Sequence, residues 1–193
     1  MPNSRTDISN KALILVGGKT ITSLNEDSDN ARYCNQYLDS VIDEVLCMHD
    51  WTCAEHRKVV AANADYDPDD FSYAKAYKYL LPANPYCLLV RKFNTGETAY
   101  EIQGRWLYSD DDTCELVYTK RITDVNEFFP LLVEAIYTQL AVKLTFPLKQ
   151  SKALRDELIL YLEEVVLPRA ERRDSSQIYV DQSKRRRWLT AGR

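Results

Sequence analysis

Residues 100–145 decide the fold, and they read YEIQGRWLYSDDDTCELVYTKRITDVNEFFPLLVEAIYTQLAVKLT. In the first part, hydrophobic and polar residues alternate on either side of Gly104, and the alternation returns after three aspartates. A period of two is typical of half-buried strands. The sequence therefore predicts a small antiparallel sheet, with strands at 100–102, 106–108 and 116–118 and a hairpin tip at 110–112.

The second part of this stretch is an almost wholly apolar helix. After a turn at 124–130, apolar side chains occupy most helical faces from residue 127 to about residue 144. A helix with so little polar surface is expected to be buried between neighbours. A small β-unit joined to a helical packing surface suits a protein that assembles with copies of itself, and nothing in the stretch has a catalytic pattern.

Two helices are predicted before it. A short helix from about Ile8 ends at Gly17 and Gly18, where glycine can supply a left-handed C-terminal cap. A long helix begins at Asp27 or Ser28, both good N-cap residues. Its apolar residues step by three and four along one stripe, which comprises Ala31, Cys34, Leu38, Val41, Ile42, Val45 and Met48.

A last helix follows the central one, and Pro147 is expected to separate the two. Ser151 caps it, and Pro168 lies too deep for a first-turn proline, so it kinks or ends the helix. Its stripe comprises Leu154, Leu158, Tyr161, Leu162 and Val165. In the middle third, residues 87–93 and the end of a strand at 59–62 read as β structure, and the acidic segment 65–70 reads as a loop.

The predicted fold class is thus α+β. An antiparallel bundle of about four helices, from residues 1–50 and 126–174, carries an inserted small antiparallel β-subdomain at 51–125. A flexible basic C-terminal arm follows at 175–193, because the chain turns polar and then basic beyond Asp174.

The composition argues against nucleic-acid binding, membrane insertion and disulfide bonds. The net charge of −4 gives no global reason to bind nucleic acid. No apolar run approaches the roughly 20 residues that span a bilayer, so no membrane partner is expected. The five cysteines are scattered and no secretion signal precedes them, which favours free thiols in a reducing cytosol.

Two motifs suggest cofactors and are better explained without them. Gly17-Gly18-Lys19-Thr20 resembles the end of a phosphate-binding loop, but Leu13 occupies the position six before the lysine, where that loop needs glycine. Four possible zinc ligands crowd the end of the long helix, but their spacing matches no usual arrangement of two ligand pairs; they are Cys47, His49, Cys53 and His56. We therefore expect no cofactor and no metal.

Catalytic patterns are equally weak, so no enzyme activity is expected. A nucleophile–histidine pair would have to use one of only two histidines, and no G-x-S-x-G turn is present. Asp65, Asp67 and Asp69 alternate like the start of a calcium loop, but Asp70 and Ala76 stand where that loop needs Gly and Glu. The aspartates at 110–112 could in principle belong to a carboxylate pair that cuts glycans, although nothing fixes their separation.

The basic C-terminal arm has the most distinctive charge pattern. Lys184 precedes four candidate contact residues, Arg185, Arg186, Arg187 and Trp188. One interpretation is a solvated terminus. A second is an arm that orders on docking, in which the arginines pair with an acidic surface and Trp188 fills an apolar pocket. A third is direct contact with nucleic-acid phosphates, for which four consecutive cations are few.

The order of these features resembles the tail tubular protein A family, the head-to-tail adaptors of short-tailed bacteriophages. The likeness runs from about Ala12 to Asp174. The matching residues are Ala12-Leu13 through Gly17, Ile21-Thr22-Ser23, Trp51 with Ala54, Tyr77-Lys78-Tyr79 with Leu81-Pro82, Tyr100 with Ile102 and Gly104, Leu116-Val117-Tyr118 with Asp124, Phe129-Pro130, Glu134-Ala135, Leu140-Ala141 with Lys143-Leu144-Thr145, and Ala170 with Asp174. One departure is Ala83-Asn84-Pro85, where many relatives carry an acidic residue.

The resemblance implies a structural virion protein with no reaction to catalyse. By this resemblance, the chain is expected to form a ring of about twelve subunits, a dodecamer. The ring would dock between the portal protein and the tail nozzle protein of tail tubular protein B type. Genomic DNA passes through the lumen during ejection without specific binding. The expected location is the virion, at the head–tail interface, and the host cytoplasm during assembly.

The net negative charge of the chain is compatible with a channel through which DNA passes. At −4 per subunit a ring of about twelve would carry roughly −48, which repels phosphates. We expect acidic loops to border the lumen and the arginine-rich arm to point to the portal. The alternative from another class is a tail-associated enzyme that degrades peptidoglycan, and a small nucleic-acid-binding regulator is a third possibility.

Overall fold

The apolar helix lies at the centre of the helical half of the molecule. The computed structural model describes residues 4–68, 75–96 and 98–177. In it, helix α3 spans Pro130–Lys149 and packs against three other helices. It begins three residues later than predicted, because Asp124 caps a 3-10 turn at Val125–Glu127 and Pro130 then fits the first turn of the helix. The buried side chains of α3 include Leu132, Ile136, Leu140 and Leu144.

The two N-terminal helices form as predicted. Helix α1 spans Arg5–Leu15 and ends in a Schellman motif: Gly17 has φ +64°, and Gly18 N–H donates to Leu13 O at 2.7 Å. The predicted glycine C-cap is thus confirmed.

Helix α2 spans Asp29–Met48, and Ser28 is its N-cap. Its predicted stripe is buried through Val45, but the last buried residue is Leu46, whereas Met48 is 40% exposed.

Pro147 does not end the central helix. It lies inside α3, which continues to Lys149 and ends at Gln150 in the left-handed conformation. The proline removes one backbone hydrogen bond near the end of the helix. Packing on several sides outweighs that loss, and Lys149 Nζ donates to Gly17 O at 2.9 Å, which ties the last turn to the end of α1.

The last helix passes Pro168 with an irregular turn. Helix α4 spans Lys152–Tyr161, a π turn covers Leu162–Val166, and α5 continues over Leu167–Ser175. The wider π turn accommodates the proline, which has no N–H to donate and would crowd the carbonyl four residues before it. The last helix therefore continues past Pro168 to Ser175 as one helix that the π turn interrupts.

The β structure consists of two sheets, not the single sheet predicted. The first has the order β1-β6-β3, formed by Glu55–Val59, Glu115–Lys120 and Cys87–Phe93. The second has the order β2-β5-β4, formed by Tyr77–Leu80, Trp106–Ser109 and Tyr100–Gln103. All four pairings are antiparallel.

The division into two sheets changes the position of the hairpin tip. Gln103 faces Trp106, so the tight turn is Gly104-Arg105, with Gly104 at φ +60°. Residues 110–112 instead connect β5 of one sheet to β6 of the other. Alternation alone could not show this, because it identifies strands without identifying their partners.

The fold is therefore α+β, as predicted. It has four packed helices, if α4, the π turn and α5 are counted as one, and two small three-stranded antiparallel sheets. Buried side chains form two clusters, one among the helices and one between the sheets. Trp51, Ala54 and Val125, from the predicted β-subdomain range, pack in the helical cluster. The division at 51–125 stays a prediction.

Among the described residues, helix α3 is long and apolar enough to span a membrane. The expectation that no apolar segment approaches that length is therefore wrong. Most of that helix is buried inside the bundle, and a buried core helix meets the same criterion.

Candidate functional site

The four predicted portal contacts, Arg185, Arg186, Arg187 and Trp188, lie outside the described residues. The structure follows the chain to Gln177, just beyond the end of α5. What it shows is the place from which the C-terminal arm departs. That place is a buried polar junction between the last helix, the end of α2 and the first sheet.

Asp174 is the centre of this junction. Its residue is 1% exposed, and its carboxylate accepts hydrogen bonds from the Thr52 amide at 3.0 and 3.2 Å and from the Thr52 hydroxyl at 2.7 Å. The His49 Nε2 lies 3.8 Å from the same carboxylate. A buried carboxylate is tolerated when its acceptors are satisfied, so these contacts hold the end of α5 against the chain that leaves α2.

Arg91 joins the first sheet to the same region. Its side chain is 5% exposed; Nε donates to Thr119 Oγ1 at 2.8 Å, and Nη2 donates to Trp51 O at 2.9 Å. Nε also lies 3.2 Å from Asp50 Oδ1. The planar fork of a guanidinium can contact several acceptors at once, so Arg91 connects two strands to the segment after α2.

Trp51 forms the apolar side of the junction. It is fully buried, its indole N–H donates to Val45 O at 2.8 Å, and its ring lies 5.9 Å from that of Phe129 and 4.7 Å from that of His49. Ala54 and Ala170 are also fully buried. Four residues on which the family resemblance rests, Trp51, Ala54, Ala170 and Asp174, therefore share one region of the fold.

Sequence reasoning missed Arg91. Strand β3 has an irregular register between Val90 and Lys92, which pair with neighbouring residues Tyr118 and Val117 of β6. Arg91 is the extra residue of this bulge, and a bulge re-aims a side chain. The sequence offered only two adjacent cations, Arg91 and Lys92, in a largely apolar strand, and that pattern did not indicate the junction.

The possible zinc ligands do not gather into one site. Cys47 is exposed on α2, His49 caps that helix, Cys53 lies in a 3-10 turn, and His56 is on β1 with its ring against Tyr118. Among residues 4–68, 75–96 and 98–177, no group of three or more His, Cys, Asp or Glu side chains could hold a metal ion.

The buried thiols are poor nucleophiles at neutral pH. Burial raises the pKa of Cys34, Cys53 and Cys87 to about 11 and that of Cys114 to about 12. The thiolate is the reactive form, so these four side chains are almost entirely unreactive thiols near pH 7. The burial of Cys34, Cys87 and Cys114 indicates a packing role, whereas Cys53 is half-buried.

The aspartates at 110–112 serve the connection between the sheets. Asp110 Oδ2 accepts from Lys75 Nζ at 2.8 Å, and this hydrogen bond is the main reason that the Asp110 pKa is lowered. Asp111 accepts from the Asn94 amide at 2.7 Å through its carboxylate and from the Tyr79 hydroxyl at 2.6 Å through its carbonyl. The calcium-loop alternative falls partly outside the described residues, since Asp69 and Asp70 are not among them.

Large apolar side chains are exposed on both halves of the molecule. On the helices, Phe146 is 69% exposed, and Ile14 and Leu160 are more than half exposed. On the sheets, Val59 is 72% exposed and Leu80 half exposed. Single exposed apolar residues are ordinary, but several on each half give the chain surfaces suited to contact with other proteins.

No protein-family model matches this chain, and the search of curated proteins finds no match either.

Proposed function

We propose that the chain is a structural virion protein that forms a ring and joins the portal to the tail nozzle of a short-tailed bacteriophage. The observation that carries this proposal is the junction. Trp51, Ala54, Ala170 and Asp174 were matched to the adaptor family as separate pieces of sequence, and all four are buried where the last helix meets the end of α2. A shared junction is what one common fold would require of residues so far apart in the chain.

The architecture also suits ring assembly. A closed ring uses two different surfaces on each subunit, which meet head to tail. Phe146 and Leu160 on the helices supply exposed apolar contacts for neighbouring subunits. The two small sheets, with Val59 and Leu80 exposed, would face an adjoining tail component.

Charge is divided between the body and the end of the chain. Residues 178–193 contain five cationic side chains and one carboxylate, a formal +4. Since the whole chain carries −4, residues 1–177 carry −8. An acidic body would let DNA pass without gripping it, and a basic end would pair with an acidic portal surface.

Deletion of residues 184–193 tests the portal contact. The shortened chain should fold and bind the portal rings of its own phage more weakly, as measured by co-sedimentation. A matched control replaces two other exposed cations, Arg172→Gln with Arg173→Gln, and should bind the portal as the parent does. Equal portal binding by the deletion and the parent would refute the assignment of the arm.

A further inference from the structure

The two sheets leave a cleft between β3 and β4. Each of these strands is an outer strand of its own sheet, because the strand orders are β1-β6-β3 and β2-β5-β4. On the opposite side the sheets are connected, since Ala62, which follows β1, forms an antiparallel bridge with Tyr79 of β2. Among the described residues, no backbone hydrogen bond joins β3 to β4. The β3–β4 cleft therefore separates the two sheets along one side only.

Side chains connect β3 and β4 at both ends of this cleft. At one end, the ring centroids of Phe93 and Tyr100 lie 5.6 Å apart. At the other end, Arg105 Nη1 donates to Cys87 O at 2.7 Å. A cavity of about 340 Å³ lies along the cleft, within the range of roughly 300–1,000 Å³ that is typical of ligand pockets. The two strands thus run side by side without pairing, and they leave room for a ligand between their edges.

The cavity exposes apolar side chains from both strands. Leu89 of β3 is 45% exposed, Ile102 of β4 is 44% exposed, and Tyr86, just before β3, is 37% exposed. One exposed apolar residue is ordinary, but three around one cavity indicate a contact surface. An outer strand also leaves a row of backbone N–H and C=O groups without a strand partner. Apolar side chains beside such a row suit an extended peptide, which adds as a strand and places alternate side chains in the cavity.

The charges at the cleft select an acidic segment. The guanidinium groups of Arg105 and Arg121 lie against the Tyr86 ring, with Cζ atoms 4.1 and 4.6 Å from its centroid. Arg121 is paired with both carboxylate oxygens of Asp43, which offsets its charge. Arg105 instead donates to three backbone carbonyls, and no carboxylate among the described residues pairs with it. None of the described residues that line the cavity carries a carboxylate. One positive charge is therefore left beside the apolar lining, where a carboxylate of a bound segment would be stabilised.

We propose that the β3–β4 cleft binds an extended acidic segment of a partner protein as an added strand. The backbone of the segment hydrogen-bonds to the free strand edges, an apolar side chain lies between Leu89 and Ile102, and a carboxylate pairs with Arg105. Because successive side chains of a strand point to opposite faces, the apolar residue and the carboxylate of the segment are two positions apart. This inference goes beyond the adaptor role and does not depend on it.

Selection of peptides from a random heptapeptide library against the full-length protein tests the chemistry of the partner. The selected peptides should be enriched in Asp or Glu two positions from Val, Ile or Leu, and depleted in Pro, which lacks a backbone N–H. A selection without these features, or one rich in Lys and Arg, would overturn the proposal. Replacing the carboxylate of the tightest peptide by its amide should weaken binding several-fold in fluorescence anisotropy, and equal binding of the two peptides would contradict the pairing with Arg105.

Two matched variants locate the binding site on the protein. Ile102 on β4 and Val59 on β1 are both exposed β-branched residues of outer strands, and only Ile102 lines the cavity. We expect Ile102→Asp to weaken binding of the selected peptide about tenfold, and Val59→Asp to bind it as the parent does. The peptide should also slow hydrogen exchange of β3 and β4 amides in the parent and leave β1 amides unchanged. Any other pattern of binding among the three proteins, or protection confined to β1 or the helices, would overturn the proposal.

Discussion

Asp174, near the end of the last helix, accepts hydrogen bonds from both the amide and the hydroxyl of Thr52, which lies 122 positions earlier in the chain. The carboxylate is almost completely buried. This contact holds the end of α5, just before the last described residue Gln177, against the segment that follows α2. The attachment of the last helix to the rest of the molecule therefore depends strongly on one side chain.

Asp174→Asn should destabilise the fold. Hydrogen bonds to a buried charged group contribute about 1.5–3 kcal/mol, and the neutral amide keeps only one acceptor oxygen. We expect the free energy of unfolding to fall by about 2 kcal/mol in urea titration. Asp156→Asn, on the exposed face of α4, is the matched control and should change it by less than about 0.5 kcal/mol. Equal effects of the two variants on the free energy of unfolding would show that the hydrogen bonds of Asp174 do not contribute to stability.

Arg91→Lys should loosen the first sheet although the charge is kept. Lysine has one donor centre, so it cannot replace the separate hydrogen bonds to Thr119 and to Trp51 O. We expect a loss of about 1–3 kcal/mol and faster hydrogen exchange of β3 amides. The reverse exchange at the adjacent exposed position, Lys92→Arg, should leave both measurements unchanged. If Arg91→Lys left the free energy of unfolding unchanged, the hydrogen bonds of the Arg91 guanidinium would not contribute to stability.

The sequence predicted much of the helical half. The stripe of α2 and the glycine cap of α1 follow from local rules, and both appear in the structure. Strand β3 also spans the predicted residues. The failures concern interactions between distant residues: Pro147 is kept inside α3 by neighbouring helices, and strand partners depend on contacts that alternation does not encode.

The junction was only partly predictable. Trp51 and Asp174 stood out among the residues that carry the proposed resemblance, but their proximity depends on the paths of α2 and α5. Arg91 could not be assigned, because its direction depends on a bulge in β3. The arm could be identified from charge alone, and its residues 178–193 remain outside the described part of the chain.

Thr138→Val should stabilise the protein. The Thr138 side chain is fully buried in α3, and its hydroxyl has no hydrogen-bond partner among the described residues. Replacing an unsatisfied hydroxyl by a methyl group removes a desolvation penalty, so we expect a gain of about 1 kcal/mol in unfolding free energy.

The comparison variant for this site is Thr145→Val. Thr145 is equally buried in the same helix, but its hydroxyl donates to Ala141 O at 2.8 Å. That variant should be neutral or less stable than the parent. If both valine variants gave the same change, the missing partner of Thr138 would not be the cause.

Stability should fall in alkaline solution. Burial raises the pKa of Cys34, Cys53 and Cys87 from 9.0 to about 11 and that of Cys114 to about 12. Because the unfolded thiols ionise first, the stability that these groups contribute is complete below about pH 9 and is lost as the pH rises towards 11. Urea titrations at several pH values measure this loss.

Cys114→Ala identifies one contributor to that pH dependence. Removing this buried thiol should flatten the decline of unfolding free energy above pH 9, because one fewer group ionises on unfolding. Cys47→Ala, at an exposed thiol, should flatten it less. An identical decline in the parent and in Cys114→Ala would exclude ionisation of that thiol as a cause.

The adaptor proposal is tested most directly by electron microscopy of the purified protein mixed with portal rings from the same phage. The account predicts a ring of about twelve subunits stacked on the portal, with an open central channel. A protein that forms no ring and binds no portal at any salt concentration would contradict it.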